Sequence, residues 1–339
     1  MELKKEINAI DFCKFVLAFF VVAIHTDLLE LVSEPINWGI MHLMFRLAVP
    51  FFYVVSGYFL GRKLFGVKDK KTIFKSYRKK QCIPLIVWGG LALITYGISL
   101  CRNGTSMIGV IARVVRSAVF YPRGAMWFVA ACIISSFILE FVLKRKIRRR
   151  YITIVALVLY GVALIANTYY FVIEGTIFQT IIDIYMKVCI SARNGVFLFI
   201  YMWLGYLLAD ESLTVQLDRH KELVNVILVG SILTFVLEVV YTYNKNAMDD
   251  SSLFASFVVL IPMLVYKLLN YHMKANLPYK DMRKISTYVY YLHPQINTLF
   301  SGWFDFNGAI QFITVSLMCC IIYIVVNIGN LTFLKRILE

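Results

Sequence analysis

A lysine and a histidine lie eleven positions apart in one hydrophobic stretch near the start of the sequence, IDFCKFVLAFFVVAIHTD. Eleven steps of about 100° bring Lys14 and His25 to the same side of a helix, and Asp11 lies one turn before Lys14. Each of these groups is costly in lipid, so this side of the helix is expected to face protein or water. An imidazole there can act as a general base. The alternative is structural, with Lys14 reaching back to water and His25 bonded to a neighbouring helix.

A second candidate tract is FRLAVPFFYVVSGYFLGRK, residues 45–63. Arg46 lies near the outer end of this hydrophobic span, either as a functional cation or as an interface anchor. Pro50 can kink the helix, and Ser56-Gly57 allows a close helix contact.

Basic residues after this tract suit either of two roles. Arg62, Arg78, Lys79 and Lys80 lie on the predicted cytoplasmic side, where they can mark topology or bind the phosphates of a cofactor.

Two further positions stand out inside hydrophobic spans. Trp127 falls at the outer interface, as in an aromatic belt. His293 precedes Pro294, so the helix is predicted to break there and to expose backbone carbonyls to protein or to a water cavity.

The composition predicts an all-α polytopic membrane protein. Hydrophobic residues make up 60% of the 339 positions and charged residues only 16%, and apolar runs near twenty residues recur. One integral-membrane domain, 1–339, is expected, with no soluble appendage. Ten spans are predicted, at about 10–29, 40–60, 83–100, 127–143, 151–171, 194–209, 223–241, 252–269, 287–304 and 310–331.

The net charge of +15 is explained by membrane topology rather than by binding of nucleic acid. Lys and Arg cluster in alternate connections, such as KRKIRRR at 144–150, which predicts that both termini are cytoplasmic.

The segments 106–121 and 177–191 are predicted to form helices lying in the membrane interface. The seven cysteines show no metal-binding spacing, so no metal site and no disulfide are expected.

Taken together, these motifs resemble the membrane acyltransferase-3 family. The family has an Arg/Lys-x10-His motif, which corresponds here to Lys14 with His25. Its tract R-x-x-V-P-x-F-F-x-x-S-G-Y/F corresponds to Arg46 through Ser56-Gly57-Tyr58. Its late tract, similar to S-x-x-x-Y-x-x-H, corresponds to Ser286 through His293. The tract ARNGVF, with Arg193 and Asn194, is similar to one in the membrane half of membrane-bound serine racemases of vancomycin resistance.

The resemblance implies acyl transfer, usually of acetyl from cytoplasmic acetyl-CoA, to a hydroxyl of an extracytoplasmic glycan or envelope molecule. His25 would be the base or acyl carrier, with Lys14 and Asp11 in the catalytic group. Lys14 and Arg46 would stabilise negative charge on the thioester oxygen or on the cofactor. Arg62, Arg78, Lys79 and Lys80 would hold the CoA phosphates. The candidate substrate or pathway residues are Ser56, Tyr58, Trp127, Arg193, Asn194 and His293.

Two departures from the family pattern leave alternatives open. The first motif position is Lys14 rather than Arg, which loses bidentate geometry. Longer members carry an extracytoplasmic esterase-like domain, so either this chain acylates its acceptor directly, or a separate protein completes transfer. A separate extracytoplasmic transferase and a second copy in a homodimer are the possible protein partners. The expected location is a bacterial cytoplasmic membrane. A transporter of a small polar solute such as serine is the alternative function, and a regulatory partner of another envelope enzyme is a third.

Overall fold

Within the part of the chain that the structure describes, all regular secondary structure is helical. A computed structural model describes residues 7–247, 251–274 and 276–338, with backbone only at 336 and 337. Short 3₁₀ helices cover Phe45–Leu47 and Tyr170–Val172. The α-helices are α1 (Asn8–His25), α2 (Glu34–Leu43), α3 (Ala48–Leu64), α4 (Lys70–Arg102), α5 (Met107–Phe120), α6 (Met126–Lys144), α7 (Arg149–Ile165), α8 (Ile177–Cys189), α9 (Phe199–Leu208), α10 (Glu211–Arg219), α11 (Lys221–Asn244), α12 (Phe257–Asn270), α13 (Tyr279–Ser301), α14 (Gly308–Ile328) and α15 (Thr332–Leu338).

Several helices are long and apolar enough to cross a bilayer. Within the described residues there are six such segments: Asn8–His25, Glu34–Leu64, Lys70–Arg102, Met126–Lys144, Lys221–Asn244 and Gly308–Ile328. Two shorter apolar helices, α9 and α12, add to them. The prediction of an all-helical, multi-pass membrane protein is therefore confirmed at this level.

The chain divides into two compact units. The first contains the residues up to Phe52 together with those from Val259 onward, and the second runs from Tyr53 to Val258. In the first unit, α1 packs along α13 and α13 packs along α14. In the second unit, α6 packs against α4 and α9, and α7 also packs against α9.

Glycines permit the closest helix contact in the second unit. A Cβ added to Gly205 of α9 would lie 2.0 Å from the carbonyl oxygen of Val54, and one added to Gly57 of α3 would lie 2.3 Å from that of Met202. The expectation that the Ser56-Gly57 pair allows a close helix contact is confirmed, since only a hydrogen side chain fits between these backbones.

Proline positions differ from the sequence-based expectation. The predicted break at His293-Pro294 is wrong, because α13 continues through Pro294 to Ser301. The basic connection before predicted span three is largely helical, since α4 runs unbroken from Lys70 through Pro84. A packed helix tolerates the loss of the one backbone hydrogen bond that proline cannot donate. The break in span two instead falls at Met44, before Pro50, which lies in the first turn of α3.

The two amphipathic segments form helices as predicted. Segment 106–121 contains α5, and segment 177–191 contains α8. The side chain of Ser106 caps α5 by accepting from the Gly109 amide at 3.3 Å.

Candidate active site

The seam between α1 and α13 begins with an ion pair. Arg283 Nη1 lies 3.0 Å from Asp11 Oδ2, and the Asp11 side chain is only 5% exposed. A carboxylate buried in an apolar helix needs such a charge-assisted bond to offset its lost hydration. Asp11, predicted as a catalytic candidate, therefore acts locally as the partner of Arg283.

Lys14 and His25 follow Asp11 along the same side of α1. Lys14 is half-buried one turn after Asp11, whereas His25 is the last residue of α1 and is exposed. The predicted span reached 29, so the histidine lies at the helix end rather than within the span. Since both Asp11 and His25 meet α13, the predicted shared side is the one that packs on that helix.

A second histidine lies against His25. The ring centroids of His25 and His293 are 5.3 Å apart with 34° between the ring planes. His293 is fully buried in α13, ten residues after Arg283. Because Asp11 meets Arg283 and His25 meets His293, the two helices run in the same direction.

The hydrogen bonding of His293 fixes its tautomer. Its Nδ1 is 2.8 Å from the carbonyl oxygen of Val289, which can only accept, so Nδ1 carries the hydrogen. In the neutral ring Nε2 is then an acceptor. This atom is buried and has no hydrogen-bond partner within the described part of the chain.

Two amides near His25 were not predicted from the sequence. Asn297 Nδ2 donates to the backbone carbonyl of His25 at 2.8 Å. Gln311 Nε2 donates to Asn297 Oδ1 at 2.8 Å and to the Asn297 carbonyl at 3.2 Å. Their positions in the sequence could have indicated them. Asn297 follows His293 by one helical turn, and Gln311 is a polar residue in an apolar helix.

The remaining candidate of the first unit is Arg46. It lies in the 3₁₀ helix Phe45–Leu47, is half-buried, and follows Phe45, whose ring centroid is 5.0 Å from that of Phe20 in α1. Arg46 is therefore held on an element that packs against α1.

Among the basic candidates for phosphate binding in the second unit, three are exposed and one forms an ion pair. Arg62, Lys79 and Lys80 are exposed. Arg78 pairs with Glu140, with 2.6 Å between Nη1 and Oε2, and its side chain is only 15% exposed. Its guanidinium also lies 4.1 Å from the centroid of the Phe137 ring. Arg78 thus anchors α4 to α6.

The tract around Arg193 and Asn194 is packed into the second unit. The Arg193 guanidinium lies 5.7 Å from the ring centroids of both Tyr121 and Trp127. Asn194 Nδ2 donates to the Tyr185 hydroxyl at 2.9 Å. These contacts account for the tract structurally.

Ser56 and Tyr58 lie on α3. The hydroxyls of Ser56 and Tyr77 are 2.7 Å apart, and Tyr58 is buried. Across the described residues, no group of three His, Cys, Asp or Glu side chains is placed to hold a metal ion.

Comparison with known proteins gives one family. A family model described as an acyltransferase domain matches residues 7–328. No solved structure matches the chain significantly.

The curated relatives carry racemase names. An amino-acid racemase of Enterococcus faecalis is 25% identical over 87% of this chain and 41% of its own length. A serine/alanine racemase of Enterococcus gallinarum is 22% identical over 97% of this chain and 46% of its own length. The chain spans less than half the length of these relatives, and their names give no support to the transporter alternative.

The family match crosses both compact units and includes α1, its partner α13 and all of α14. The chain therefore belongs to this acyltransferase family, and its long apolar helices are those of a multi-pass membrane protein.

Proposed function

We propose that the chain transfers an acetyl or similar acyl group from cytoplasmic acyl-CoA to a hydroxyl of an extracytoplasmic glycan or envelope molecule. The observation that carries this proposal is the contact of the His25 and His293 rings on the same side of α1 that holds Lys14. The proposal includes a bacterial cytoplasmic membrane, ten crossings and both termini inside, as the alternating basic connections indicate.

The proposed reaction is a direct acyl transfer. The acceptor oxygen attacks the thioester carbonyl, the C–O bond forms, the C–S bond breaks, and His25 takes the hydroxyl proton and passes it to the departing sulfur. The His293 tautomer supports this step. When His25 becomes an imidazolium, its second N–H gains a nearby acceptor in His293 Nε2.

Lys14 is proposed to contact the donor rather than the reacting carbonyl. Eleven residues of helix separate it from His25 by about 16 Å, too far for both side chains to act on one carbonyl. With the N-terminus inside, Lys14 lies nearer the cytoplasm, from which the donor arrives. Arg46 is proposed as a second cation for the donor.

The donor phosphates are proposed to bind the basic residues that precede the hydrophobic part of α4. Exposed Lys79 and Lys80, with Arg62, supply charge there, while Arg78 is already paired with Glu140. Lysine ammonium groups bind phosphate as point charges and do not require a preformed bidentate site.

Inside-out vesicles from bacteria that express the chain test this proposal. Radiolabelled acetyl-CoA is added to the exposed cytoplasmic face, and label in alkali-labile envelope material is measured. We expect transfer by the native chain and loss of at least about a hundredfold in His25→Ala, which removes the base. His272→Ala, which changes an exposed loop histidine, is the matched control. Full transfer by His25→Ala at equal protein level would refute the base assignment.

A further inference from the structure

The end of α1 that carries His25 is held by side chains from two other helices. The last carbonyls of a helix have no partner within it, and they need a donor from elsewhere. For His25 that donor is Asn297 Nδ2 of α13, at 2.8 Å. The bond fixes the backbone of the proposed base rather than its ring.

Gln311 of α14 sets the orientation of the Asn297 amide. The Gln311 Nε2 group is only a donor and lies 2.8 Å from Asn297 Oδ1, so that atom must be the acceptor oxygen. The Asn297 NH₂ group is thereby turned toward His25. Gln311 is thus placed to act on His25 through Asn297.

The loop after His25 is attached to the start of the helix that carries Gln311. Glu30 Oε1 accepts from the Gly308 amide at 2.6 Å. A Cβ added at Gly308 would lie 2.0 Å from the carbonyl oxygen of Asp27, so only glycine permits this approach. The segment around His25 is therefore tied to α14 directly as well as through Asn297.

We propose that Asn297 is a positioning residue, oriented by Gln311, that holds the His25 ring beside His293 for acyl transfer. The inference rests on the proposed function of His25. Asn297 lies one turn after His293 on the same helix, so one rigid element presents both the ring that meets His25 and the amide that holds its backbone.

Isosteric substitutions separate this role from general packing. Asn297→Asp keeps the acceptor for Gln311 but points an acceptor oxygen at the His25 carbonyl. Gln311→Glu removes the donor and lets the Asn297 amide turn over. Both variants should lower kcat in the vesicle assay at least about tenfold, as a small misplacement of a catalytic group does, with the KM for acetyl-CoA unchanged. Thr298→Val is the control, since the hydroxyl of exposed Thr298 donates to the Pro294 carbonyl of its own helix.

A double-variant cycle tests whether the two amides act as one unit. Asn297→Leu removes the donor without adding charge. The double variant Asn297→Leu with Gln311→Leu should then be no slower than Asn297→Leu alone. Additive losses in kcat would show that Gln311 acts independently and would overturn its assigned part.

A measurement without acyl transfer distinguishes this inference from the proposed function. Purified protein is treated with diethyl pyrocarbonate, and modification of His25 is followed by peptide mass spectrometry, with exposed His220 and His272 as internal standards. Loss of one hydrogen bond should raise the His25 rate about two- to tenfold in Asn297→Asp and leave it unchanged in Thr298→Val. An unchanged His25 rate in Asn297→Asp overturns the inference even when His25→Ala abolishes transfer. A raised rate with full transfer by His25→Ala sinks the proposed function and leaves only the structural part of the inference, that Asn297 holds His25 in place.

Discussion

Lys14 and His25 share one side of α1 but occupy different depths. Lys14 is half-buried beside Asp11, which pairs with Arg283, and His25 is exposed at the helix end. The separation of about 16 Å along the helix fits the proposed division between a donor-binding end and a proton-transfer end. We therefore propose that a motif of two residues with ten between them serves two separate functions.

Lys14→Met should weaken donor binding more than it slows chemistry. A charge-assisted bond contributes about 1.5–3 kcal/mol, so the KM for acetyl-CoA should rise about ten- to a hundredfold, with kcat changed far less. Lys14→Arg should keep most of the affinity, because it keeps the charge. The measurement is initial rate against acetyl-CoA concentration in inside-out vesicles.

The control for this variant is Lys267→Met, which changes another half-buried lysine in an apolar helix of the same unit. If Lys14→Met raised the KM no more than Lys267→Met, or lowered only kcat, Lys14 would not contact the donor.

Residue types that carry chemistry were visible in the sequence, but their partners were not. Helical periodicity placed Asp11, Lys14 and His25 on one side of α1. It could not identify Arg283 or Asn297, which come 272 positions after Asp11 and His25 respectively. The orientation of an amide or an imidazole depends on such distant contacts, so no local pattern contains it.

Among the elements, the apolar helices were easier to predict than their ends. Span four, 127–143, corresponds closely to α6, because its apolar run ends in a basic cluster. Span six, 194–209, yields only α9, which begins at Phe199. The residues before it are irregular because Asn194 Oδ1 accepts from the amides of Val196 and Phe197. Side-chain bonding of this kind replaces the first helical turn.

Glycine contacts between α3 and α9 give a prediction at this scale. Gly205→Ala places a methyl carbon 2.0 Å from the Val54 carbonyl oxygen, so the helices must move apart. We expect destabilisation of about 1–3 kcal/mol or more, measured as a lower thermal midpoint of the purified protein in detergent. Gly161→Ala is the control, because no atom lies within 4 Å of a Cβ there. Equal midpoints for the two variants would contradict the close contact.

At the scale of the whole molecule, the positions of the basic connections and the order of Lys14 and His25 along α1 are consistent with one proposed orientation of the chain across the membrane. The basic connections predict a cytoplasmic N-terminus, which puts the Lys14 end of α1 toward the donor and the His25 end toward the acceptor. The proposed assignment of Lys14 to the donor therefore rests on the charge pattern. Opposite orientation would leave His25 facing the compartment that lacks the proposed acceptor.

The orientation can be tested on α4, which has 33 residues. At about 1.5 Å per residue this helix is about 50 Å long, so its basic first turns must project beyond a hydrocarbon core of about 30 Å. In a cysteine-free background, restored Cys101 at the far end should react with a membrane-impermeant maleimide in intact cells. Lys71→Cys should react only in inside-out vesicles. Both positions are exposed, so accessibility differs only by membrane side. Labelling of Lys71→Cys in intact cells, with Cys101 protected, would show that α4 has the opposite orientation and would contradict the topology predicted from the basic connections.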